Sequence, residues 1–241
     1  MSANKTRDIE MVVWNLVRNG SEARNNHHVP LALKYLLVQY SKRIIGCNLL
    51  SIKDDIKFFK LLSTMLGSIK RLKLLYRASD HRYSSTAFHA LCDNKGPTIT
   101  IIKSNWGNVF GGYTSKSWSS KPAFHADPEA FLFLIRSNDK AVQNKCPMIF
   151  NLKETEFRTA VFHSYLCGPS FGLGHDISTK DNCNKRIDFG DCFEFESSYT
   201  NFESYEMNGD ISLCGGKIQP LQTVKLCPFK AMDYHVYQIM T

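Results

Sequence analysis

The sequence predicts an α+β fold: an antiparallel β-sandwich of two sheets with flanking helices, preceded by a helical N-terminal extension. Three observations predict it. Before residue 73, apolar residues recur every three or four positions, the period of an amphipathic helix. From Thr98 onward, short β-branched and aromatic runs alternate with Gly, Pro, Asn and Asp, the pattern of short strands joined by turns. Between the two regimes, Leu74 to Lys103 carries a short capped helix, a Gly-Pro stop and a strand in succession.

Taken in order, the first 25 residues hold one weak amphipathic pattern, Ile9, Val12, Val13, Leu16 and Val17, ended by Asn19-Gly20. Pro30 suits a first helical position, and Leu33, Leu36, Leu37 and Tyr40 follow at helical spacing before Gly46. A third helix is expected over 51–72. Ser51-Ile-Lys-Asp54 has capping-box spacing, and Ile52, Ile56, Phe59, Leu62, Met65, Leu66, Ile69 and Leu72 keep the helical step. Ser84 or Ser85 caps a short helix carrying Ala87, Phe88, Leu91 and Cys92, stopped by Asn94-Lys95-Gly96-Pro97. Strands are expected at 98–103, 108–113, 130–136, 148–151, 160–163, 176–179 and 234–240. Gly111-Gly112 inside a strand points to a bulge or a close backbone approach. The expected organisation is a basic helical extension over 1–50 and one domain over 51–241.

The net charge of +8 is unevenly placed. Residues 1–73 hold 13 basic and 5 acidic residues, whereas 74–241 hold 17 of each. On the third helix Lys53, Lys57 and Lys60 form a candidate basic face, suited to an acidic partner or simply solvated. Nucleic acid is not the expected partner, because no aromatic pattern for stacking bases accompanies these lysines. The polar start Met-Ser-Ala-Asn-Lys-Thr-Arg-Asp has no secretory character, and the apolar run 29–38 is too short to span a bilayer. A soluble, cytoplasmic protein is therefore expected. Eight cysteines are present without a Cys-x-x-Cys or His-x(3–5)-His pattern, so thiols are expected in place of disulfides, and no metal or cofactor is expected.

Gly168-Pro-Ser-Phe-Gly172, followed by His175-Asp176, matches Gly-x-Ser-x-Gly. A nucleophile elbow, however, needs a strand before the serine and a helix after it. Here Pro169 precedes Ser170 and a strand-like run follows, so a glycine loop at the sandwich rim is the expectation. No Gly-Lys-Ser/Thr follows, which excludes a P-loop. The enzymatic alternative is a thiol- or serine-based enzyme using Ser170 or a cysteine such as Cys167 with His163 or His175. Trp106 and Trp118, flanked by Ser and Gly, suit either interface anchors or core packing.

Several of these segments together resemble the TLDc domain family. They are Leu74-Leu-Tyr-Arg-Ala-Ser-Asp80, Ala87-Phe-His89, Cys92-Asp-Asn-Lys-Gly-Pro-Thr98, Gly111-Gly-Tyr-Thr-Ser115, Trp118-Ser-Ser120, Asp127-Pro128, Ala130-Phe-Leu-Phe133 and Gly168 to Asp176. The resemblance covers about residues 58–240. It implies a eukaryotic, non-enzymatic protein of oxidative-stress resistance type that acts by protein–protein interaction, binding and regulating the vacuolar proton-pumping ATPase (V-ATPase). It also marks Gly111, Gly112, Trp118, Gly168, Ser170, Gly172, Gly174, His175 and Asp176 as a candidate motif loop or interface. Arg82 and Leu173 stand where glycines are usual, and Tyr237-Gln-Ile-Met-Thr241 lacks the acidic residues common in the closing strand.

Overall fold

A computed structural model describes residues 47–67, 69, 71–173, 176–185, 190–194, 199, 213–214, 219–221 and 224–240. The helices expected within 1–46, and the motif residues Gly174 and His175, lie outside the described residues. The backbone divides into two compact units between Arg71 and Leu72.

In the first unit, α1 (Ile52–Leu66) begins with the expected capping box. Ser51 Oγ accepts from Asp54 N at 3.2 Å, and Asp54 Oδ2 accepts from Ser51 N at 3.4 Å. Phe58, Phe59, Leu61 and Leu62 are buried. Burial and the neighbouring Asp54 push the Asp55 carboxyl up to about 7. The helix stops six residues short of the expected end, because Gly67 turns left-handed at φ 71°. Met65, expected in the core, is 36% exposed. Leu72, expected on the helix, instead lies in a strand that buries Leu72 and Tyr76 and exposes Arg71, Lys73 and Leu74.

The second unit holds two antiparallel sheets. One runs in the order β1 (Arg71–Arg77), β13 (Ala231–Met240), β2 (Thr98–Ser104), β3 (Val109–Thr114), β5 (Phe131–Arg136), β6 (Met148–Asn151). The other runs β11 (Gln219–Leu221), β12 (Val224–Phe229), β10 (Gly190–Glu194), β9 (Ile177–Lys180), β8 (Cys167–Phe171), β7 (Val161–His163), β4 (Ala123–His125). Ile102, Phe110, Leu132, Leu134 and Val236 of the first meet Val161, Phe171, Ile177 and Phe229 of the second in one core. Ile99, Ile101, Tyr113, Phe131, Phe133 and Tyr237 are buried as well. Burial on both faces explains why these strands read as continuous apolar runs without alternation.

Gly168 to Phe171, expected as a loop, is part of β8. Proline and glycine are admitted there because the β8–β9 pairing carries a register shift between Cys167 and Ser170. Arg82 adopts φ 55° and Tyr83 φ 57°, so this chain keeps a left-handed turn where the related pattern has a glycine. Leu173 is not among the left-handed residues; Gly172, at φ 80°, carries that conformation.

Candidate functional site

The site grows from α2 (Ser85–Cys92). Ser84 caps it, its Oγ accepting from Ala87 N at 3.3 Å. Ser85 N donates to Asp181 Oδ1 at 2.5 Å, and Ser85 Oγ donates to the same oxygen. One turn from the C-terminus, His89 is 6% exposed. Its Nδ1 lies 2.7 Å from Asp93 Oδ1, whose other oxygen accepts from Ser120 Oγ at 2.7 Å. Its Nε2 reaches two backbone carbonyls, Ser164 O at 2.8 Å and Cys167 O at 3.0 Å. Two of the three partners are backbone carbonyls, which only accept, so Nε2 donates to them.

Those carbonyls bracket the turn between β7 and β8. Cys167 N donates to Ser164 O at 3.1 Å, and Leu166 N to Ser164 Oγ at 3.3 Å. The turn is therefore closed from within and pinned from behind by a buried imidazole. On its outer side stand Tyr165 and Leu166, 57% and 65% exposed. Two large apolar side chains held on a pre-ordered backbone lose little conformational entropy when a partner covers them.

Beside the turn, His163 is buried, stacks on His125 with ring centroids 3.9 Å apart and meets Trp118 at a tilt, 5.1 Å between centroids. Its Nδ1 lies 3.0 Å from Ser119 Oγ, and its Nε2 has no hydrogen-bond partner. Burial first, and the neighbouring His125 second, lower its pKa to about 4, against an opposing pull from Asp93. The sign follows from linkage: the folded state holds this ring neutral, while the unfolded chain protonates it below about 6.5. Stability is thus present at neutral pH and lost as pH falls toward 4. We expect about 2 kcal/mol to be lost from this residue between pH 7 and 5. Urea midpoints should fall less steeply over that range in His163→Gln than in the parent chain.

The residues marked by the sequence are placed differently from an exposed loop. Trp118 is 1% exposed, donates from Nε1 to Thr98 Oγ1 at 2.8 Å, and meets Phe88 and Phe171 edge-on. Gly111 and Gly112 lie in β3 between β2 and β5, and Gly168 lies in β8 against Thr179 and Tyr234. Asp176 is buried, and a Cβ on Gly172 would collide with its carboxylate. Trp106, by contrast, is 41% exposed. Lys53, Lys57 and Lys60 sit on α1 at the i, i+4, i+7 spacing of one helix face.

Ser170 is fully buried, and its hydroxyl meets Gly168 O at 3.2 Å, Ser178 Oγ at 3.1 Å and Cys167 Sγ at 3.5 Å. His163 instead faces Ser119, so the structure does not bring Ser170 to that imidazole. Burial pushes the thiols of Cys92 and Cys167 up, and that of Cys183 up to about 12. Such thiols stay protonated at neutral pH and are poor nucleophiles. Among the described residues, no group of three or more His, Cys, Asp or Glu side chains could hold a metal ion. Nor is any described helix long and apolar enough to cross a membrane.

Comparison with known proteins places these features in context. The model of the TLDc domain matches residues 51–239. MTOR-associated protein MEAK7 of Danio rerio is 36% identical over 63 residues, and that of Gallus gallus 40% over 63. The Xenopus laevis protein of the same name is 41% identical over 66 residues. In each case the aligned stretch covers 26% of this chain and only 14% of the relative.

Proposed function

We propose that this chain, which belongs to the TLDc domain family, works by binding a partner protein and not by catalysing a reaction. The observation that carries the reading is the pinned turn presenting Tyr165 and Leu166. Tyrosine is enriched among residues that dominate interface energies, and rigid presentation favours slow dissociation. The buried partners of Ser170 and the raised thiols argue against the serine and cysteine alternatives. The family resemblance makes subunits of the V-ATPase the partner of choice, in a cytoplasmic setting and in a response to oxidative stress. The relatives' name, MTOR-associated protein, supplies a second candidate partner.

The test is a titration of immobilised chain with the purified cytoplasmic sector of the V-ATPase and, separately, with the purified MTOR kinase complex. Tyr165→Ala/Leu166→Ala should weaken the productive pairing by at least tenfold, about 1.4 kcal/mol, without moving the thermal midpoint. Binding to neither complex, or equal binding of parent and variant, would overturn the reading. A fluorophosphonate probe that labelled Ser170 stoichiometrically would revive the hydrolase.

The basic face adds an expectation about rates. Charge reversal at Lys53, Lys57 and Lys60 should slow association more than it speeds dissociation, because rim charges act mainly by steering. Association of the parent chain should also slow as salt rises. Stopped-flow rates that stay flat across salt, in parent and variant alike, would assign these lysines to solvation.

A further inference from the structure

Strand β1 is the outermost strand of the six-stranded sheet, with β13 as its neighbour. One bond fixes which of its backbone groups face that neighbour. Ala78 N donates to Tyr234 O of β13 at 2.9 Å. In a trans peptide the carbonyl of the preceding residue points the other way, so Arg77 O faces away from β13. Backbone N–H and C=O groups switch sides with each residue of a strand, so those of Lys73, Leu75 and Arg77 face the edge together. The same alternate positions carry a basic row. Arg71 and Lys73 are exposed, and Leu75 and Arg77 are half-buried. Among the described residues neither Arg71 nor Lys73 makes an ion pair. Arg77 meets Asp80, Nη1 to Oδ2 at 3.4 Å, but that carboxylate is exposed and readily exchanged for another. Lysines on an edge ordinarily deter pairing. A row of one sign also selects: an incoming strand with carboxylates opposite the row gains at each pair, and a basic strand is repelled. Residues 1–73 of this chain hold 13 basic and 5 acidic residues, the wrong sign for that strand.

We propose that the edge of β1 is a docking site for an extended acidic segment of another protein, added to the six-stranded sheet as a further strand. Main-chain bonds to Lys73, Leu75 and Arg77 supply its affinity, and its alternate side chains supply specificity. Antiparallel addition sets its residues against Arg77, Leu75, Lys73 and Arg71 in that order. The matching pattern is therefore acidic, any, apolar, any, acidic, any, acidic. The inference concerns a surface other than the 164–167 turn, so it stands or falls separately from the binding reading above.

The probe is the end-blocked peptide Glu-Thr-Val-Thr-Glu-Thr-Glu, fluorescently labelled and titrated with the full chain. Anisotropy should show saturable binding that weakens as salt rises, and none for the same peptide with Lys in place of each Glu. Peptide residues opposite Lys73, Leu75 and Arg77 turn their N–H groups toward β1. N-methylation of the valine and the glutamates should therefore abolish binding. N-methylation of the two threonines, whose N–H groups point outward, should leave it intact. Arg71→Glu/Lys73→Glu should weaken the unmodified peptide at least about tenfold without moving the thermal midpoint. Equal affinity of the two methylated peptides would make the edge a generic polyanion surface and overturn the proposal. So would the absence of saturable binding, or equal binding of the acidic and basic peptides. Since the peptide series is read on the parent chain, a variant that fails to fold does not remove the test.

Discussion

Gly111→Ala should abolish cooperative folding. Gly111 lies in β3 between Ile101 of β2 and Phe133 of β5, in the middle of the six-stranded sheet. A Cβ there would collide with the backbone carbonyl of Thr100 and come within 2.9 Å of Phe133 Cζ. The carbonyl belongs to a ladder fixed on both sides, so neither strand can withdraw without losing its register. The cost should be at least about 5 kcal/mol, comparable with the whole stability of a typical domain. Gly112→Ala provides the contrast. The atoms nearest its Cβ would be side-chain atoms, Phe171 Cζ at 2.7 Å and Leu132 Cδ2 at 2.9 Å among them. Side chains can partly repack, and overpacking of this kind costs about 1–3 kcal/mol. Thermal melts should therefore show a shifted transition for Gly112→Ala and none for Gly111→Ala. A Gly111→Ala melt within a few degrees of the parent chain would refute the close approach.

His89→Ala should have the second largest effect, and on two readouts. Removing the ring takes one donor each from Cys167 O, part-buried Asp93 Oδ1 and Ser164 O, of which Ser164 O keeps the bond from Cys167 N. Each such loss costs about 1–3 kcal/mol, and the set together about 3–4 once water re-enters the space. The partner never needs to touch His89, yet binding should weaken, because the Ser164–Cys167 turn loses its rear support and must be ordered on association. Dissociation should speed up in His89→Ala at temperatures where the variant is still folded by circular dichroism. Loss of stability with unchanged binding would make His89 a core residue without a positioning role.

How far the sequence revealed these features depends on where each signal resides. Strands β2, β3, β5 and β6 were legible because Thr-Ile-Thr-Ile-Ile, Val-Phe-Gly-Gly-Tyr, Phe-Leu-Phe-Leu-Ile and Met-Ile-Phe-Asn carry β-branched and aromatic residues between turn signals. The helix starts at Ser51 and Ser84 were legible because a cap is a local bond. Strand β1 was hidden: Leu72 falls in phase with the helical repeat before it, and only pairing with β13 makes it a strand. Strand β8 was hidden because Gly168-Pro169 reads as turn punctuation, and the register shift that accommodates it is a property of the pair. The turn at 164–167 was hidden for a similar reason. His89 meets Ser164 and Cys167 across 75 and 78 residues of chain, a distance over which periodicity carries no signal. One cue was local: Tyr165-Leu166, two large apolar residues in a row between Ser164 and the Cys167-Gly168-Pro169 strand. Gly111, Gly112, Gly168 and Trp118, marked by the sequence as a loop or interface, sit in close packing inside the sandwich.

Amide hydrogen exchange of the full chain, alone and saturated with the V-ATPase cytoplasmic sector, addresses the binding role most directly. The account predicts that the Leu166 amide and its neighbours at 164–167 become strongly protected in the complex. The buried strand segments around Gly111 and Ser170 should exchange equally slowly in both states. Protection confined to other surfaces, with the 164–167 turn exchanging as in the unbound chain, would contradict it.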